Sequence, residues 1–488
     1  MKKVLLAVNA EYGQANVFLA VGHALQAMDP EVQIHFVSFN EIFKDVSSAS
    51  EYSVKSTPGA QPWKLHPLDG PSFMKAIAIH EGNNKLEDTL EKRPNFSSIL
   101  EMSSKFMSLL LPWDGPEFVA IYKSFLRIVD EVQPDQIVLD SLFAPGTTAC
   151  QHLNLDYIVF SPNTLKDFAV ALQPRGAMFW KFPVMGSAFP FPVPATSIPA
   201  NIFYWLTQIY YAVTDRRTKA VAAHVKKEVG ADLVTFQHLM MRPPKGRKIL
   251  VSNRPEIEFP LAVVPKHLTS CGPVIRPVPA VVGVDGELDA WLRRGPTVFV
   301  CLGTHRNMEE WEALEMAEVI LRLLEAAAGE KGDVGGVQGK VQVLWKLKRT
   351  VLGAAAVPYE TGPGTKLYAA LKDEIEADRV RIVDWVKPQP SAILQVKSVV
   401  LSINHGGANS FHDALTAEYL GIGLWGNKQA MPRSKAQELA PIVIDAVIGP
   451  KAEQLRKKVR QLAALCDETP GVSVAASAIL EGMGGKKE

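Results

Sequence analysis

The chain has 488 residues, which is too long for one ordinary hydrophobic core and favours two compact domains. Its 52 lysine and arginine residues nearly balance its 51 aspartate and glutamate residues, so the net charge of +1 argues against a nucleic acid partner. The composition is typical of a soluble globular protein, and four cysteines without metal-ligand spacing predict reduced thiols, a cytoplasmic location and no structural metal.

The first half of the chain alternates short apolar runs, rich in β-branched residues, with stretches of helix length. This alternation is typical of a parallel sheet covered by helices. The runs predicted as strands are 4–8, 32–39, 136–140 and 157–161, and the predicted helices cover 17–28 and 147–153. Together they predict a doubly wound domain over residues 1–270. The run at 4–8 is a first strand and not a signal peptide, because polar residues interrupt it from Asn9 onward.

Residues 182–214 form the longest stretch without a charged side chain. Five prolines divide it, so it cannot form one continuous membrane-spanning helix. Its last part, 200–213, is aromatic and unusually apolar. Three interpretations remain open: a pocket for an apolar substrate, shallow contact with a membrane surface or a partner protein, and a helix packed in the core.

The second half repeats the pattern after a stretch rich in proline and glycine at 271–287, which is typical of an interdomain linker. Strands are predicted at 297–303, 341–347, 380–385 and 398–404, and a helix at 308–328. They predict a second domain over 288–465, followed by a helical tail at 466–488, with 329–340 as a surface loop. The fold class is therefore α/β, with two facing Rossmann-like doubly wound domains.

Polar and glycine residues follow the last of these strands, where parallel sheets bind their ligands. The residues at this strand-to-helix turn are His405, Gly406, Gly407, Asn409 and Ser410. Free N–H groups and the positive end of the helix dipole favour a phosphate there. Asp413 lies one helical turn beyond Asn409, on the face where a carboxylate meets ribose hydroxyls. Trp385, at the end of another strand, offers a flat ring for stacking a base.

The segment 384–415 resembles the signature of the UDP-glycosyltransferases that act on small molecules in plants, animals and fungi, and the likeness extends to 250–275 and 287–304. The resemblance implies a GT-B fold with nucleotide sugar bound to the second domain. It assigns uracil to Trp385 and the backbone of Val386, and ribose to Gln389 and Asp413. It assigns the diphosphate to Thr304, His405, Asn409 and Ser410, next to Gly406 and Gly407.

The implied reaction is inverting transfer of a sugar, UDP-glucose being the expected donor, to a hydroxyl of an apolar small molecule such as a phenolic or sterol. The UDP-sugar is a co-substrate, and no other cofactor is expected. No pair of strand-end carboxylates with DxD spacing is present, in agreement with a reaction that needs no metal. A Rossmann-type oxidoreductase is disfavoured because no strand is followed by GxGxxG.

The first departure from the family follows Ala417. There the family has a further strand and a loop ending in an acidic residue that binds the sugar, whereas this chain continues directly with 418–428, which resembles what normally comes later. Such an internal deletion predicts the loss of one parallel strand from the second sheet. It motivates an alternative: a catalytically impaired relative that keeps the fold and UDP binding.

The second departure concerns the general base. Gln14 stands where the family has a catalytic histidine, and an amide does not take up a proton near neutral pH. Glu11 is a candidate base. Asp140 matches the acidic partner of the family's histidine and is suited to polarising a bound hydroxyl, although helix capping explains an aspartate at this place equally well.

Overall fold

The computed structural model describes residues 2–82, 92–302, 308–328, 333–349, 357–404, 417–431 and 433–484. These residues divide into two compact units. The first unit takes 2–82, 94–276 and 463–484, and the second takes 92, 93 and the described part of 277–462. The division at 276/277 falls within the stretch rich in proline and glycine, and the C-terminal residues belong to the first unit.

The first unit is built on a parallel sheet whose described strands are ordered β3-β2-β1-β4-β5-β6-β7. The strands are β1 (Lys3–Ala7), β2 (Gln33–Ser38), β3 (Lys64–Pro67), β4 (Gln136–Asp140), β5 (Tyr157–Ser161), β6 (Ile249–Val251) and β7 (Leu268–Ser270). Every residue of β4 and β5 is buried, because helices cover both faces of the sheet. The predicted strands at 4–8, 32–39, 136–140 and 157–161 are confirmed within about a residue at each end.

Helices connect and cover these strands. They are α1 (Tyr12–Met28), α2 (Phe43–Ser56), α3 (Phe73–Glu81), α4 (Phe96–Leu110), α5 (Gly115–Val132), α6 (Ala144–His152), α7 (Leu165–Ala169), α8 (Ala177–Trp180), α9 (Ile198–Thr214), α10 (Arg216–Val229) and α11 (Phe236–Met241). One apolar cluster joins Leu5 and Leu139 to Phe118 and Phe125 of α5. The opposite face of the sheet packs on Phe18 of α1. The sheet therefore lies between two helical layers.

The last helix of the chain, α19 (Gly471–Gly484), completes the layer around α1. Two of its glycines, Gly471 at its first position and Gly482 near its end, lie against other parts of the first unit. A Cβ atom on Gly471 would lie 2.4 Å from the carbonyl oxygen of Gly272, and one on Gly482 would lie 2.6 Å from the Gln136 side-chain oxygen. The close approach requires glycine at both positions, and these contacts join the C-terminal helix to the first unit.

The second unit has a parallel sheet with described strands in the order β14-β11-β8-β15. Its strands are β8 (Thr297–Cys301), β11 (Gln342–Lys346), β14 (Val380–Val383) and β15 (Val399–Ile403), and two short hairpins add β9 (Asp333–Val334), β10 (Val337–Gln338), β12 (Lys348–Arg349) and β13 (Val357–Pro358). The helices are α12 (Val281–Val284), α13 (Gly286–Leu292), α14 (Glu310–Ala328), α15 (Lys366–Glu376), α16 (Pro390–Leu394) and α17 (Ala436–Val447). Helix α18 (Ala452–Glu468) begins in the second unit and ends in the first, whose residues resume at 463. The hairpin β9–β10 lies in the stretch predicted as a surface loop.

Strand β15 differs from the buried strands of the first sheet. All of its residues are only half-buried, its pairing with β8 shifts register between Val399 and Leu401, and β8 is its one neighbour among the described strands. The described residues 418–428 form a short helical turn and bends without a strand. A strand missing after Ala417 would leave β15 with a neighbour on one side only, as among the described strands. The deletion itself stays a prediction.

Helix α9 occupies the end of the apolar stretch 182–214. Of its side chains only Asn201 and Tyr204 are buried. Four large apolar side chains are exposed at helical spacing, namely Phe203, Leu206, Tyr210 and Val213. The interpretation as a packed core helix is therefore wrong. Within the described ranges, no helix is both long and apolar enough to cross a membrane.

Candidate functional site

The strand order of the first sheet reverses at β1, which has β2 on one side and β4 on the other. The connections from β1 and β4 leave on opposite sides of the sheet at such a point, so a crevice opens at the carboxyl ends of the two strands. Asn9 and Glu11 follow β1, and Asp140 ends β4. The structure brings these side chains and Gln14 to this crevice, which we call the first switch point.

Asp140 has no exposed surface. Its Oδ1 accepts a hydrogen bond from the Leu142 backbone N–H at 3.1 Å, and its Oδ2 accepts one from the Asn9 side-chain amide at 3.1 Å. Burial raises the pKa of Asp140 to about 7, and the nearby Glu11 carboxylate raises it further against the opposing effect of those hydrogen bonds. Asp140 can therefore take up or release a proton near neutral pH, where an ordinary aspartate is fully ionised.

The capping explanation for Asp140 is wrong. The N-cap residue of α6 is Phe143, and the structure shows no side-chain cap on that helix. The Asp140 carboxyl group instead accepts a hydrogen bond from the Leu142 N–H and another from the side chain of Asn9, which follows β1. A buried carboxyl group tied to the neighbouring strand in this way is expected of a functional site more than of a helix start.

Glu11 precedes the first turn of α1, and its backbone carbonyl accepts hydrogen bonds from Gln14 and Ala15. Its Oε1 accepts a hydrogen bond from the Met74 N–H at 3.1 Å. Its Oε2 is buried and has no hydrogen-bond partner among the described residues. Burial raises the pKa of Glu11 to about 7, with a smaller contribution from the Glu41 carboxylate.

Two further polar atoms at the first switch point lack partners among the described residues: Oδ1 of Asn9 and Oε1 of Gln14. Both side chains are buried, at 1% and 8% exposure. Buried polar atoms without partners cost free energy in the folded chain, so their retention points to a ligand or a water that fills the crevice. Gln14 is expected to hydrogen-bond a ligand, and the structure leaves its oxygen available for one. Asn9 was not singled out from the sequence, where it reads only as the end of a strand.

The sheet of the second unit has its own reversal, at β8 between β11 and β15. Register places Lys346 of β11 beside Cys301 of β8, and Ile403 of β15 beside Val300. The carboxyl ends of all these parallel strands therefore lie along one edge, which we call the second switch edge. Thr304, His405, Gly406, Gly407, Asn409, Ser410 and Asp413 lie outside the described residues, and their assignment stays a prediction.

Trp385 follows β14 at the second switch edge, and 52% of its surface is exposed. The next residue, Val386, is buried in a cluster with Trp291, Phe299 and Leu344, which anchors the turn. Gln389 is exposed and precedes α16 without capping it, so its amide is available to a ligand. An exposed indole on an anchored turn is suited to stacking a nucleobase.

Two lysine side chains contact the Trp385 ring, which the sequence alone did not indicate. Their Nζ atoms lie 4.3 Å (Lys346) and 4.9 Å (Lys348) from the ring centroid, within cation–π distance. Lys346 is buried, and burial lowers its pKa, as does the charge of Lys348. The sequence feature that could have indicated this contact is the spacing of two residues between Lys346 and Lys348. Side chains alternate between the two faces of an extended strand, so this spacing places both lysines on the same face.

No family model matches the chain. It is 27% identical to glycosyltransferase sdnJ of Sordaria araneosa, over 96% of this chain and 95% of that protein. Among solved structures, it is similar to a UDP-glucosyltransferase from Polygonum tinctorium (TM-score 0.57, 14% identity, covering 100% and 99% of the two chains). It is also similar to Phytolacca americana UGT2 complexed with UDP-2-fluoro-glucose and pterostilbene (TM-score 0.56, 13% identity, 99% and 100% coverage).

The two parallel doubly wound sheets and the likeness to these solved structures define an α/β fold of the GT-B type. The relative from Sordaria araneosa matches along almost the whole chain, in agreement with the sequence signature. The chain is thus similar to UDP-glycosyltransferases in its sequence signature and its fold, and it is a transferase enzyme.

Proposed function

We propose that the enzyme transfers a sugar from a UDP-sugar, with UDP-glucose as the expected donor, to a hydroxyl of an apolar small molecule such as a phenolic or sterol. The observation that carries this proposal is the exposed Trp385 ring on an anchored turn at the second switch edge. The solved relatives support it: one is named a UDP-glucosyltransferase, and another was captured with a UDP-sugar analogue and pterostilbene.

On the donor side, uracil stacks on Trp385 and meets the backbone of Val386, and Gln389 and Asp413 hold the ribose. Strands β14 and β15 are the outer strands of the described four, so their ends lie roughly 14 Å apart at the usual strand spacing. An extended nucleoside diphosphate spans such an edge from Trp385 to the turn after Asn404. Thr304, His405, Asn409 and Ser410, with the helix N–H groups beside Gly406 and Gly407, stabilise charge on the departing diphosphate.

On the acceptor side, Glu11 is the general base. Its Oε2 has no partner among the described residues, whereas both oxygens of Asp140 already accept hydrogen bonds. A base with a pKa of about 7 is ionised about half of the time near neutral pH and takes up a proton readily. Glu11 removes the proton of the acceptor hydroxyl as its oxygen attacks the anomeric carbon and UDP leaves, with inversion.

Asp140 and Asn9 position the base. Because the two carboxyl groups repel each other when both are ionised, a proton on Asp140 favours the charged form of Glu11. Asn9 holds Asp140 in place, and Gln14 orients the acceptor hydroxyl with its free oxygen.

The proposal is tested by titrating UDP and UDP-glucose calorimetrically, and by incubating UDP-glucose with panels of phenols and sterols. A β-linked glucoside identified by NMR supports inverting transfer. Binding of UDP without any gain from the sugar, together with no product from either panel, identifies the catalytically impaired relative. No binding of UDP at all overturns the donor assignment.

A second candidate function rests on α9, whose exposed face presents Phe203, Leu206, Tyr210 and Val213. Such a face is suited to shallow contact with a bilayer surface, where an apolar acceptor would also partition. Trp205 is not part of this face, since its indole N–H donates to the Phe182 carbonyl at 3.3 Å. Liposome flotation of the wild type against Leu206→Glu/Tyr210→Glu tests the contact. Ala220→Glu, on the exposed surface of α10, is the matched charge control.

A further inference from the structure

Three buried oxygen atoms at the first switch point have no hydrogen-bond partner among the described residues. They are Oδ1 of Asn9, Oε2 of Glu11 and Oε1 of Gln14, all within six consecutive positions of the chain. An amide oxygen only accepts hydrogen bonds, and so does a carboxylate oxygen once the group is ionised. What these three atoms need is therefore donors, and a ligand that fills the crevice has to bring them.

Two of these acceptors belong to one helical turn. Glu11 is the N-cap residue of α1 and Gln14 is its third residue, and the Gln14 N–H donates to the Glu11 carbonyl at 2.9 Å. Side chains at these two positions lie side by side, which is why capping boxes use them. The Glu11 side chain does not cap its own helix. A ligand in the crevice therefore meets the carboxylate and the amide oxygen together.

A single hydroxyl group cannot satisfy both of these oxygens, because it carries one hydrogen. In the proposed reaction that hydrogen goes to Oε2 of Glu11 as the hydroxyl oxygen attacks the donor sugar. The Gln14 oxygen then orients the acceptor only through a second donor. Leaving a buried oxygen without a donor costs binding free energy, so an acceptor that supplies the second donor is favoured over one that does not.

We propose that the acceptor carries a second hydroxyl on the carbon next to the one that is glycosylated, as in a catechol or an aliphatic 1,2-diol, and that Gln14 selects it. This inference rests on the proposed function and names its substrate class. Hydroxyls on adjacent carbons reach adjacent partners, whereas hydroxyls on opposite sides of a ring point apart and cannot both face one helical turn. Glu11 takes the proton of the attacking hydroxyl, the new C–O bond forms as the bond to UDP breaks, and the second hydroxyl keeps its proton and donates to Gln14.

The proposal is tested with matched acceptors and UDP-glucose. We would measure kcat/KM for catechol, 2-aminophenol, 2-methoxyphenol and phenol. 2-Methoxyphenol keeps the second oxygen of catechol but not its hydrogen, and 2-aminophenol replaces that oxygen by another donor. The two acceptors with a second donor are expected to exceed the other two by at least about tenfold. The same ratio for 1,2-cyclohexanediol over 2-methoxycyclohexanol shows whether an aliphatic diol serves as well as a catechol.

Variants of Gln14 connect the preference to this side chain. Gln14→Met has a similar length but no acceptor, so it should lower kcat/KM for catechol about tenfold and leave that for 2-methoxyphenol within about threefold. Gln14→Glu keeps an accepting oxygen and should keep the preference for catechol. Tyr12→Phe is the matched control, because the Tyr12 hydroxyl lies in the same turn but donates to Asp45 at 2.9 Å. It should leave the ratio of the two acceptors unchanged.

The outcomes separate this inference from the function on which it rests. If no phenol, sterol or diol yields a glucoside, the proposed function and the inference both fail. If all four aromatic acceptors react with equal kcat/KM, water satisfies the Gln14 oxygen, and the inference alone is overturned. A fall in Gln14→Met that is equally large for catechol and 2-methoxyphenol also overturns it, because the side chain then supports only the structure of the crevice. An unchanged melting temperature shows that the variants are folded.

Discussion

The two sheets of this enzyme share a strand arrangement but hold opposite chemistry at the equivalent place. Each sheet reverses its strand order next to its first strand, β1 in one unit and β8 in the other. At the first switch point the structure places two carboxyl groups whose pKa is raised by burial, and at the second switch edge it places an exposed indole and two lysines. Topology decides where a site forms, and the side chains after each strand decide what it binds.

The sheets also differ in how well their strands are enclosed. Strands β4 and β5 are fully buried, whereas every residue of β15 is half-buried. Asp140 therefore ends a strand that is buried on both faces, whereas β15 lies at the edge of the described sheet. We expect substitutions at the first switch point to affect chemistry and those at the second to affect donor affinity.

The largest effect is expected from Glu11→Gln. Removing the general base should lower kcat by about 10²–10⁴-fold, while UDP affinity stays within about twofold. The rate is measured with the best phenolic acceptor, and UDP binding by calorimetry. Glu41→Gln is the control, since Glu41 forms an ion pair with Lys75 near the same crevice. If Glu11→Gln keeps the wild-type kcat, Glu11 is not the base.

The next effect concerns the donor site. Trp385→Ala, His405→Ala and Asp413→Ala should each weaken UDP binding by about 1–3 kcal/mol, the cost of losing a stacking ring or a partner to a charged or buried polar group. Calorimetric titration measures this loss. Trp311→Ala, which removes another partly exposed tryptophan of the second unit, should leave the affinity unchanged. Unchanged affinity in His405→Ala and Asp413→Ala together contradicts the assigned phosphate and ribose positions.

The pH dependence of the wild type should follow Glu11. The base acts in its ionised form and its pKa is about 7, so kcat/KM should rise about tenfold between pH 6 and pH 8 and level off above that. Initial rates across this range at fixed donor concentration give the profile. A profile that is flat across the same range, or one that falls as the pH rises, argues against a carboxylate base.

The smallest effect is on stability. The pKa of Asp140 is about 7 in the folded chain, against an ordinary value of 3.8. Below about pH 4 the carboxyl group is protonated in both the folded and the unfolded chain, so its burial does not lower the free energy of unfolding. As the pH rises toward 7 the unfolded chain ionises first, and the folded state loses stability. Asp140→Asn removes the ionisable group, and the free Oδ1 of Asn9 can accept from the new amide. The variant should gain on the order of 2 kcal/mol at about pH 8 and nothing at about pH 4.

Thermal melts of the wild type and Asp140→Asn at both pH values check this difference. Ser141→Ala is a suitable neighbour control, because it loses a hydroxyl contact with Ser161 without changing any charge. A gain of the same size at both pH values would mean that packing, not ionisation, explains the result.

The sequence alone predicted the fold class, four of the seven described strands of the first sheet, the four strands of the second sheet and the family resemblance. Continuous runs such as 136–140 and 157–161 predict buried parallel strands because only a sheet covered on both faces hides every residue. The signature from Trp385 onward indicates the family resemblance because its residues are predicted at strand ends, where parallel sheets bind their ligands. These inferences depend on local order along the chain, so no tertiary contact was needed.

Only the tertiary structure decided which groups meet. Asn9 and Asp140 lie 131 positions apart, and their hydrogen bond exists because β1 and β4 are neighbours in the sheet. The raised pKa of Glu11 and the position of two lysines on Trp385 likewise depend on burial and on packing between separate elements. Desolvation and through-space charge depend on three-dimensional proximity, which residue spacing in the sequence does not specify.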